Sequence, residues 1–189
     1  MSHNLIFRSG ESFAADFTGR TLFGVVAPFG KYTEVHDHAG PSRPYQERIE
    51  RGAFARSIKE RGHKVTLVYD HDNVSMPIGK ATLLREDPEG LYAEFQVART
   101  ARGDEALQLA REGMVTGFSI RAGIKGQRRE SRNQVTRTEL ALVDVSLTPH
   151  PVYDEGAGVA GIRSHTGDPY DELLSAELAA RLLSIRLKV

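Results

Sequence analysis

The chain has 189 residues, enough for one compact domain with a hydrophobic core but too few for two full-sized domains. Its 25 basic and 25 acidic residues balance, which is atypical of a general nucleic-acid binder, and no apolar run approaches the roughly 20 residues of a membrane span. The absence of cysteine excludes disulfides, thiolate zinc sites and a cysteine nucleophile. Because the opening residues lack the apolar stretch of a signal peptide, we expect the protein to act in the cytosol or inside a particle.

The pattern of apolar residues predicts a chain dominated by strands, with helices inserted between them. The predicted strands are β-branched or alternate apolar and polar residues, and the predicted helices carry apolar side chains three or four positions apart. In chain order we predict a strand at 21–29, a helix at 52–62, strands at 65–69, 78–84 and 91–97, a helix at 101–112, and strands at 115–124 and 135–147. Turn-forming residues predict a long exposed loop at 31–46 and a basic hairpin tip at 125–134.

The last part of the sequence predicts a linker followed by a helix. Glycine, serine and threonine favour an irregular segment, and Asp168 is a typical helix N-cap with Pro169 in the first turn. The apolar residues that follow form one helical stripe, made of Leu174, Leu178, Leu182 and Ile185. We therefore expect a domain at 1–155, a linker at 156–169 and an amphipathic helix at 170–189, whose stripe needs a partner in this domain or in another chain.

Ser119 is a candidate nucleophile because it lies in a predicted strand with two different faces. One face is apolar and consists of Phe118, Ile120, Ala122 and Ile124. Ser119 falls on the other face with Gly117 and Gly123, and glycines leave room for a substrate backbone to approach the hydroxyl. A small strand residue without a chemical role has the same pattern, so periodicity alone leaves both readings open.

His71 is a candidate general base. It follows the predicted strand at 65–69 in the same alternating phase as Leu67 and Tyr69, which would hold the ring at a strand end that solvent can reach. An imidazole pKa of roughly 6.5 suits proton transfer near neutrality. A purely structural histidine is the alternative.

A metal site is a second hypothesis for the histidines. His36 and His38 flank Asp37 in the predicted loop, and imidazole with carboxylate suits zinc or manganese. No third ligand is evident nearby in the sequence. A metal-dependent hydrolase that uses these three residues, with His71 as a further ligand, therefore stays open at this point.

Asp144 is an acid inside an otherwise apolar strand. Strict alternation puts it on one face with Leu140, Leu142 and Ser146, where an ionised carboxylate is costly unless it meets a cation or several donors. A histidine that becomes imidazolium during catalysis would meet that need, and so would a purely structural set of backbone donors. Glu139, on the opposite face, is a lesser candidate for the same role. Ser146 is a second possible nucleophile, although its neighbours are bulky.

Taken together, several segments resemble the caudovirus prohead maturation protease family, which is related in fold to the herpesvirus assemblins. The resemblance runs from about Leu22 to Tyr153 and rests on the order and spacing of the segments rather than on any one of them. The segments are FGVVAPFG at 23–30, ERIERGAF at 47–54, LVYDHD at 67–72 followed by PIGK at 77–80, GFSI at 117–120 and LVDVSLTPHPVY at 142–153.

The resemblance implies an α+β fold, a mixed and mostly antiparallel β-barrel with surrounding helices like that of the herpesvirus proteases. It implies a serine endopeptidase without cofactor or metal, in which Ser119 is the nucleophile, His71 the base and Asp144 the third member. Two residues depart from the family pattern. Arg121 stands where many relatives have glycine, and Asp144 stands where relatives often have glutamate.

The resemblance also implies a substrate and a place of action. The expected substrates are the scaffolding segment of the major capsid protein, or a separate scaffold protein, inside the immature capsid in the host cytoplasm. The protease itself is often a further substrate, and residues 156–167 are the expected self-cleavage region. A homodimer is consistent with the resemblance, whereas nucleic acid and membranes are not expected partners. A non-catalytic scaffolding protein of the head is the alternative function.

Overall fold

The computed structural model describes residues 5–11, 19–35, 44–69, 76–149 and 158–163. Within these ranges the chain forms ten strands and two α-helices, and a short 3-10 turn at Gly62–Lys64 follows the first helix. In chain order the elements are β1 (Leu5–Glu11), β2 (Thr21–Pro28), β3 (Thr33–Val35), β4 (Tyr45–Ile49), α1 (Ala55–Arg61), β5 (Thr66–Tyr69), β6 (Gly79–Glu86), β7 (Gly90–Val97), α2 (Ala101–Arg111), β8 (Gly117–Ser131), β9 (Gln134–Thr148) and β10 (Gly158–Arg163).

The ten described strands form one mixed sheet. The strand order is β1-β8-β9-β5-β6-β7-β2-β10, and β4 pairs with β9 and carries β3 on its other edge. Neighbours are antiparallel except where β9 meets β4 and β5, which run parallel to it. The sheet curls, because β1 at one end of the order also contacts β2 and β10 at the other end. The prediction of a mixed, mostly antiparallel fold with few helices is confirmed.

The core lies inside the curl and is lined by apolar side chains from almost every described strand. Phe54, Phe95 and Phe118 are its largest fully buried side chains, and the rings of Phe95 and Phe118 lie 5.7 Å apart. α2 contributes Ala106 and Leu107 to the same core. The helices predicted at 52–62 and 101–112 and the strands at 21–29, 65–69, 78–84 and 91–97 are confirmed within a few residues at each end.

The predicted linker needs a correction. Residues 158–163 form β10, which pairs antiparallel with β2, and Val159 is fully buried. Glycine-rich composition indicates an irregular segment, but strand pairing through the backbone needs only a free sheet edge, which β2 supplies. The other residues of the linker predicted at 156–169 and the helix predicted at 170–189 lie outside the described residues.

β9 organises the sheet because several partners bond to its two edges. One edge pairs with β8 along its full length, and the other pairs first with β4 and then with β5. Between β4 and β5, where neither strand pairs with β9, residues just before and within α1 accept hydrogen bonds from this edge. Leu140 N donates to the Ala53 carbonyl at 2.8 Å, and Leu142 N donates to Ser57 Oγ at 2.9 Å. Helix α1 therefore completes the hydrogen bonding of a strand edge.

A buried ion pair fixes β4 against the first half of β9. Arg137 Nε donates to Glu47 Oε2 at 2.5 Å, and another guanidinium nitrogen donates to the Tyr45 hydroxyl at 2.7 Å. Arg137 is 4% exposed and Glu47 is fully buried. A shifted register between β4 and β9 would leave a buried charge without its partner. This ion pair therefore specifies the parallel pairing of the two strands.

A β-bulge at Val143 inverts the faces of β9. Arg121 of β8 pairs with Asp144, but the next residue, Ala122, pairs with Leu142, so Val143 is the extra residue on β9. The amide N–H of Leu142, at the bulge, is the one that Ser57 accepts. Helix α1 is thus bonded to the point where the strand changes face.

The bulge overturns one assignment made from alternation, which placed Leu140, Leu142, Asp144 and Ser146 on one face. In the structure both leucines belong to the core cluster, whereas Asp144 and Ser146 lie on the opposite face of the sheet. The sequence-based prediction was wrong because one extra residue in a strand reverses the facing of every residue beyond it.

We predict that Ser57→Ala destabilises the fold by about 1–3 kcal/mol, because it leaves the buried Leu142 N–H without an acceptor. The loss should appear even though alanine is the better helix former by about 0.5 kcal/mol. Chemical denaturation of both chains measures the difference. Lys59→Ala, at an exposed position of the same helix, should change stability by less than about 0.5 kcal/mol, and equal losses in the two variants would contradict this role of Ser57.

Candidate functional site

The candidate site lies on the face of the sheet opposite the core, where β8, β9 and β5 run side by side. Ser119 of β8 is the register partner of Ser146 on β9, and Ser146 is in turn the partner of Val68 on β5. One row further along, Arg121 is the partner of Asp144. Paired residues of neighbouring strands share a face, so these side chains form two adjacent rows.

The predicted division of β8 into two faces is confirmed. Phe118, Ile120 and Ala122 are fully buried in the core. Ser119 and Arg121 alternate with them and therefore point to the other side. Local alternation is strict on this part of β8 because its bulges begin only beyond Ile124.

The expected open surface around Ser119 is not present. Ser119 is 1% exposed, and Ser146 beside it is fully buried. β8 is an interior strand of the curled sheet, with β9 on one edge and β1 on the other, where Ser9 is the register partner of Ser119. The glycine pattern indicated room for a substrate, but the residue types of one strand do not show what packs over that face of the sheet.

Arg121 and Asp144 form an ion pair across the two strands. An Arg121 guanidinium N–H donates to Asp144 Oδ2, and the two side chains are 19% and 4% exposed. Within the described part of the chain, Asp144 Oδ1 and Arg121 Nε are buried and have no hydrogen-bond partner. The pair is therefore joined through one carboxylate oxygen, and the other oxygen is an unused acceptor.

Burial raises the pKa of Asp144 above its ordinary value, and the hydrogen bond and charge of Arg121 oppose that rise without cancelling it. The carboxylate is taken out of water on a sheet face where its other register partner, Thr66 of β5, carries no charge. Ionised Asp144 thus costs the folded chain stability.

The other residues considered for the site are not brought there. Glu139 pairs with Arg56 at 3.4 Å and is seven positions from Ser146 along β9, roughly 23 Å at strand spacing. It is therefore not the third member of a site at Ser119. His71 lies outside the described residues, as do His36, Asp37 and His38, and the described residues include no cluster of three or more His, Asp or Glu side chains that could hold a metal ion.

Two features of the site were missed in the sequence. Ser146 was set aside for its bulky neighbours, yet it lies directly beside Ser119. Arg121 was noted only as a departure from the family pattern, whereas it pairs with Asp144. A usable signal was present for the second feature, because two neighbouring strands each carry a single opposite charge within an apolar stretch.

Comparison with known sequences places the chain in a class of peptidases. Residues 8–170 match the family described as caudovirus prohead serine protease. Because the match covers most of the sequence, the chain belongs to this family.

Two individual proteins are similar to this chain. The prohead protease of Enterobacteria phage HK97 is 29% identical over 156 residues, which cover 80% of this chain and 65% of the HK97 protein. Among solved structures, the bacteriophage T4 capsid assembly protease, gp21, aligns with a TM-score of 0.44 and 12% identity over 69% of this chain and 98% of the T4 chain. No described helix is long and apolar enough to cross a membrane.

We predict that Asp144→Asn stabilises the fold at neutral pH. The folded-state pKa of Asp144 lies above its ordinary value of 3.8, so the folded chain holds a proton that the unfolded chain has lost, and stability falls as pH rises through that window. Asparagine is neutral throughout and avoids this loss. Thermal unfolding from about pH 3 to 7 should show equal stability at the acid end and a gain for the variant at the neutral end.

Asp104→Asn is the control for this measurement, since Asp104 is an exposed aspartate that pairs with Arg20 at 2.6 Å. It should lose at most about 1 kcal/mol and gain nothing at neutral pH. A neutral-pH loss of stability in Asp144→Asn would show that the ion pair outweighs the cost of burying the carboxylate.

Proposed function

We propose that the chain is a serine endopeptidase that matures phage heads. It cleaves the scaffolding segment of the major capsid protein, or a separate scaffold protein, inside the immature capsid in the host cytoplasm. The observation that carries this proposal is the family match over residues 8–170, supported by the HK97 relative, a prohead protease. The chain spans 65% of that relative, so its activity and substrates are inferred for the part that it shares.

In the proposed mechanism, Ser119, His71 and Asp144 form the catalytic triad. His71 takes the hydroxyl proton of Ser119 while Oγ attacks the peptide carbonyl, and it then gives that proton to the leaving amine. Water, deprotonated by the same imidazole, releases the acyl group from Ser119. Asp144 orients the ring and stabilises its charged form.

The described geometry supports the pairing of Ser119 with Asp144. Both lie on the face of the sheet opposite the core, on the neighbouring strands β8 and β9. They are diagonal neighbours, and the Cα atoms of such neighbours are about 7–8 Å apart. An imidazole between them would bridge the two groups, because its nitrogens bond in opposite directions. Asp144 Oδ1, which has no partner among the described residues, is the acceptor that such a ring needs.

The position of β5 supports His71 as the bridging residue. Val68 lies in the same row as Ser146 and Ser119, and β5 ends one residue later at Tyr69. His71 follows Tyr69 by two residues in the sequence and lies outside the described residues, so its place in the site is part of the proposal. Leu67 and Tyr69 pack on the core side of β5, so the alternating phase predicted for His71 would turn it away from Ser119. The proposal therefore requires the chain to leave that phase after β5. Its role as base comes from the family resemblance of LVYDHD.

Cleavage also requires the site to open. A peptide carbonyl must come within about 3.5 Å of the attacking oxygen, and Ser119 is 1% exposed. The alternative is a head protein that keeps the fold without activity. The experiment below distinguishes the two.

The finer features implied by the resemblance belong to the same proposal. They are a herpesvirus-protease-like barrel, a homodimer and cleavage of the chain by itself. Residues 158–163 of the expected self-cleavage region 156–167 form β10, so cleavage among them requires β10 to leave β2 first. We expect the proposed cleavage to need no cofactor.

We predict that Ser119→Ala abolishes processing of the major capsid protein encoded in the same genome when the two are co-expressed. Loss of a triad nucleophile costs about 10⁴-fold or more in rate, so no shortened capsid protein should accumulate. Intact mass spectrometry of the capsid protein measures this directly. Ser131→Ala, an exposed serine of the same strand, should process normally, and Ser146→Ala tests the neighbouring hydroxyl.

The other outcomes of the co-expression experiment distinguish the alternative functions. Full-length capsid protein with the unchanged chain, despite assembled proheads, would reject the protease and favour the non-catalytic head protein. Equal cleavage by the unchanged chain and by Ser119→Ala would remove Ser119 as nucleophile. Loss of cleavage in the presence of a chelator, together with an active Ser119→Ala, would favour the metal-dependent hydrolase.

A further inference from the structure

We infer that Arg121 is a positioning residue for the triad: its guanidinium keeps Asp144 ionised and turned so that Oδ1 can accept a hydrogen bond from the imidazole. This inference rests on the proposed function, in which His71 is the donor of that bond. Arg121 itself is assigned no contact with the substrate or with the reacting atoms. It acts through Asp144.

The first support is the geometry of the ion pair. Arg121 and Asp144 are register partners on β8 and β9, and the bulge at Val143 brings the acid to the face that carries the arginine. An arginine often binds a carboxylate as a fork that uses both oxygens. Here the hydrogen bond goes to Oδ2, and Oδ1 is left without a partner among the described residues.

The second support is that Arg121 is the charge that faces this carboxylate. On β5 the register partner of Asp144 is Thr66, which is uncharged, and on β6 the partner of Thr66 is the exposed Lys80, two strands from the acid. On β1 the partner of Arg121 is Phe7. Among the residues whose side chains the structure describes, which exclude those of β1, Arg121 is thus the one charged group in ion-pair contact with Asp144.

Burial makes this contact necessary for the proposed chemistry. Desolvation already raises the pKa of Asp144, and Arg121 is what opposes the rise. Without the guanidinium the carboxyl would take up a proton at a higher pH and would lose the charge that stabilises an imidazolium. Raising the pH would remove that proton and restore the charge.

A structural ion pair would behave differently, and the pH profile separates the two roles. If Arg121 only holds β8 to β9, its loss lowers activity by the same factor at every pH. If it maintains the ionised acid, the loss is large on the acid side and recovers toward alkaline pH. The measurement is kcat/KM for cleavage of the purified capsid protein by the full chain.

We predict that Arg121→Gln lowers kcat/KM about 10- to 100-fold near pH 6 and less than about threefold near pH 9, since each unit of pKa changes protonation tenfold. Arg121→Lys, which keeps a positive charge, should follow the unchanged chain within about tenfold at both ends. Arg129→Gln, at an exposed arginine on the same strand, is the matched control and should have an unaltered profile.

A pH-independent loss in Arg121→Gln, or no loss at all, would overturn the inference. If Arg121→Gln does not fold, Arg121→Lys decides: a profile like that of the unchanged chain supports the inference, and a loss that is equal at every pH rejects it. Ser119→Ala separates this result from the proposed function. An inactive Ser119→Ala with a pH-independent Arg121 defect rejects only the role of Arg121, whereas an active Ser119→Ala rejects the triad itself.

Discussion

The structure depends above all on the hydrogen bonding of β9, because the other parts of the candidate site are located by their bonds to this strand. β8 brings Ser119 and Arg121 to one edge, and β5, the strand that precedes His71 in the sequence, lies on the other. Between β4 and β5 that edge would carry unpaired amides inside the protein, which is costly. The Ala53 carbonyl and the Ser57 hydroxyl bond there instead and hold α1 in place.

The bulge in β9 connects this architecture to chemistry. Without an extra residue at Val143, the alternation that buries Leu140 and Leu142 would also turn Asp144 into the hydrophobic core. With it, the leucines stay in the core and Asp144 lies on the same face of the sheet as Ser119. The cost is a carboxylate buried on a sheet face, which the protein tolerates because Arg121 lies opposite. The fold is thus destabilised at the position where the proposed mechanism needs a charge.

Local patterns in the sequence predicted most of the elements, and long-range pairing explains what they could not. Alternation located β8 and its two faces, since Phe118 and Ile120 point to the core whatever the neighbours are. The faces of β9 were misassigned because the bulge depends on its pairing with β8. Residues 158–163 were predicted to be part of a linker because glycines weaken the apolar alternation that indicates a strand. The residues of the proposed triad came from the order of motifs, whereas the Arg121–Asp144 pair needed the register of two strands.

The pairing of β9 also has a consequence for synthesis on the ribosome. Thr66 pairs with Asp144, and Leu5 pairs with Gly123, so large parts of the sheet have no partner until residues 123–144 have been synthesised. Pairings this distant in sequence are slow to form. Asp144 is also the last of the three triad candidates to be translated. A nascent chain that ends before Asp144 therefore carries Ser119 and His71 without the proposed acid, and in the proposed mechanism it lacks the group that orients the base.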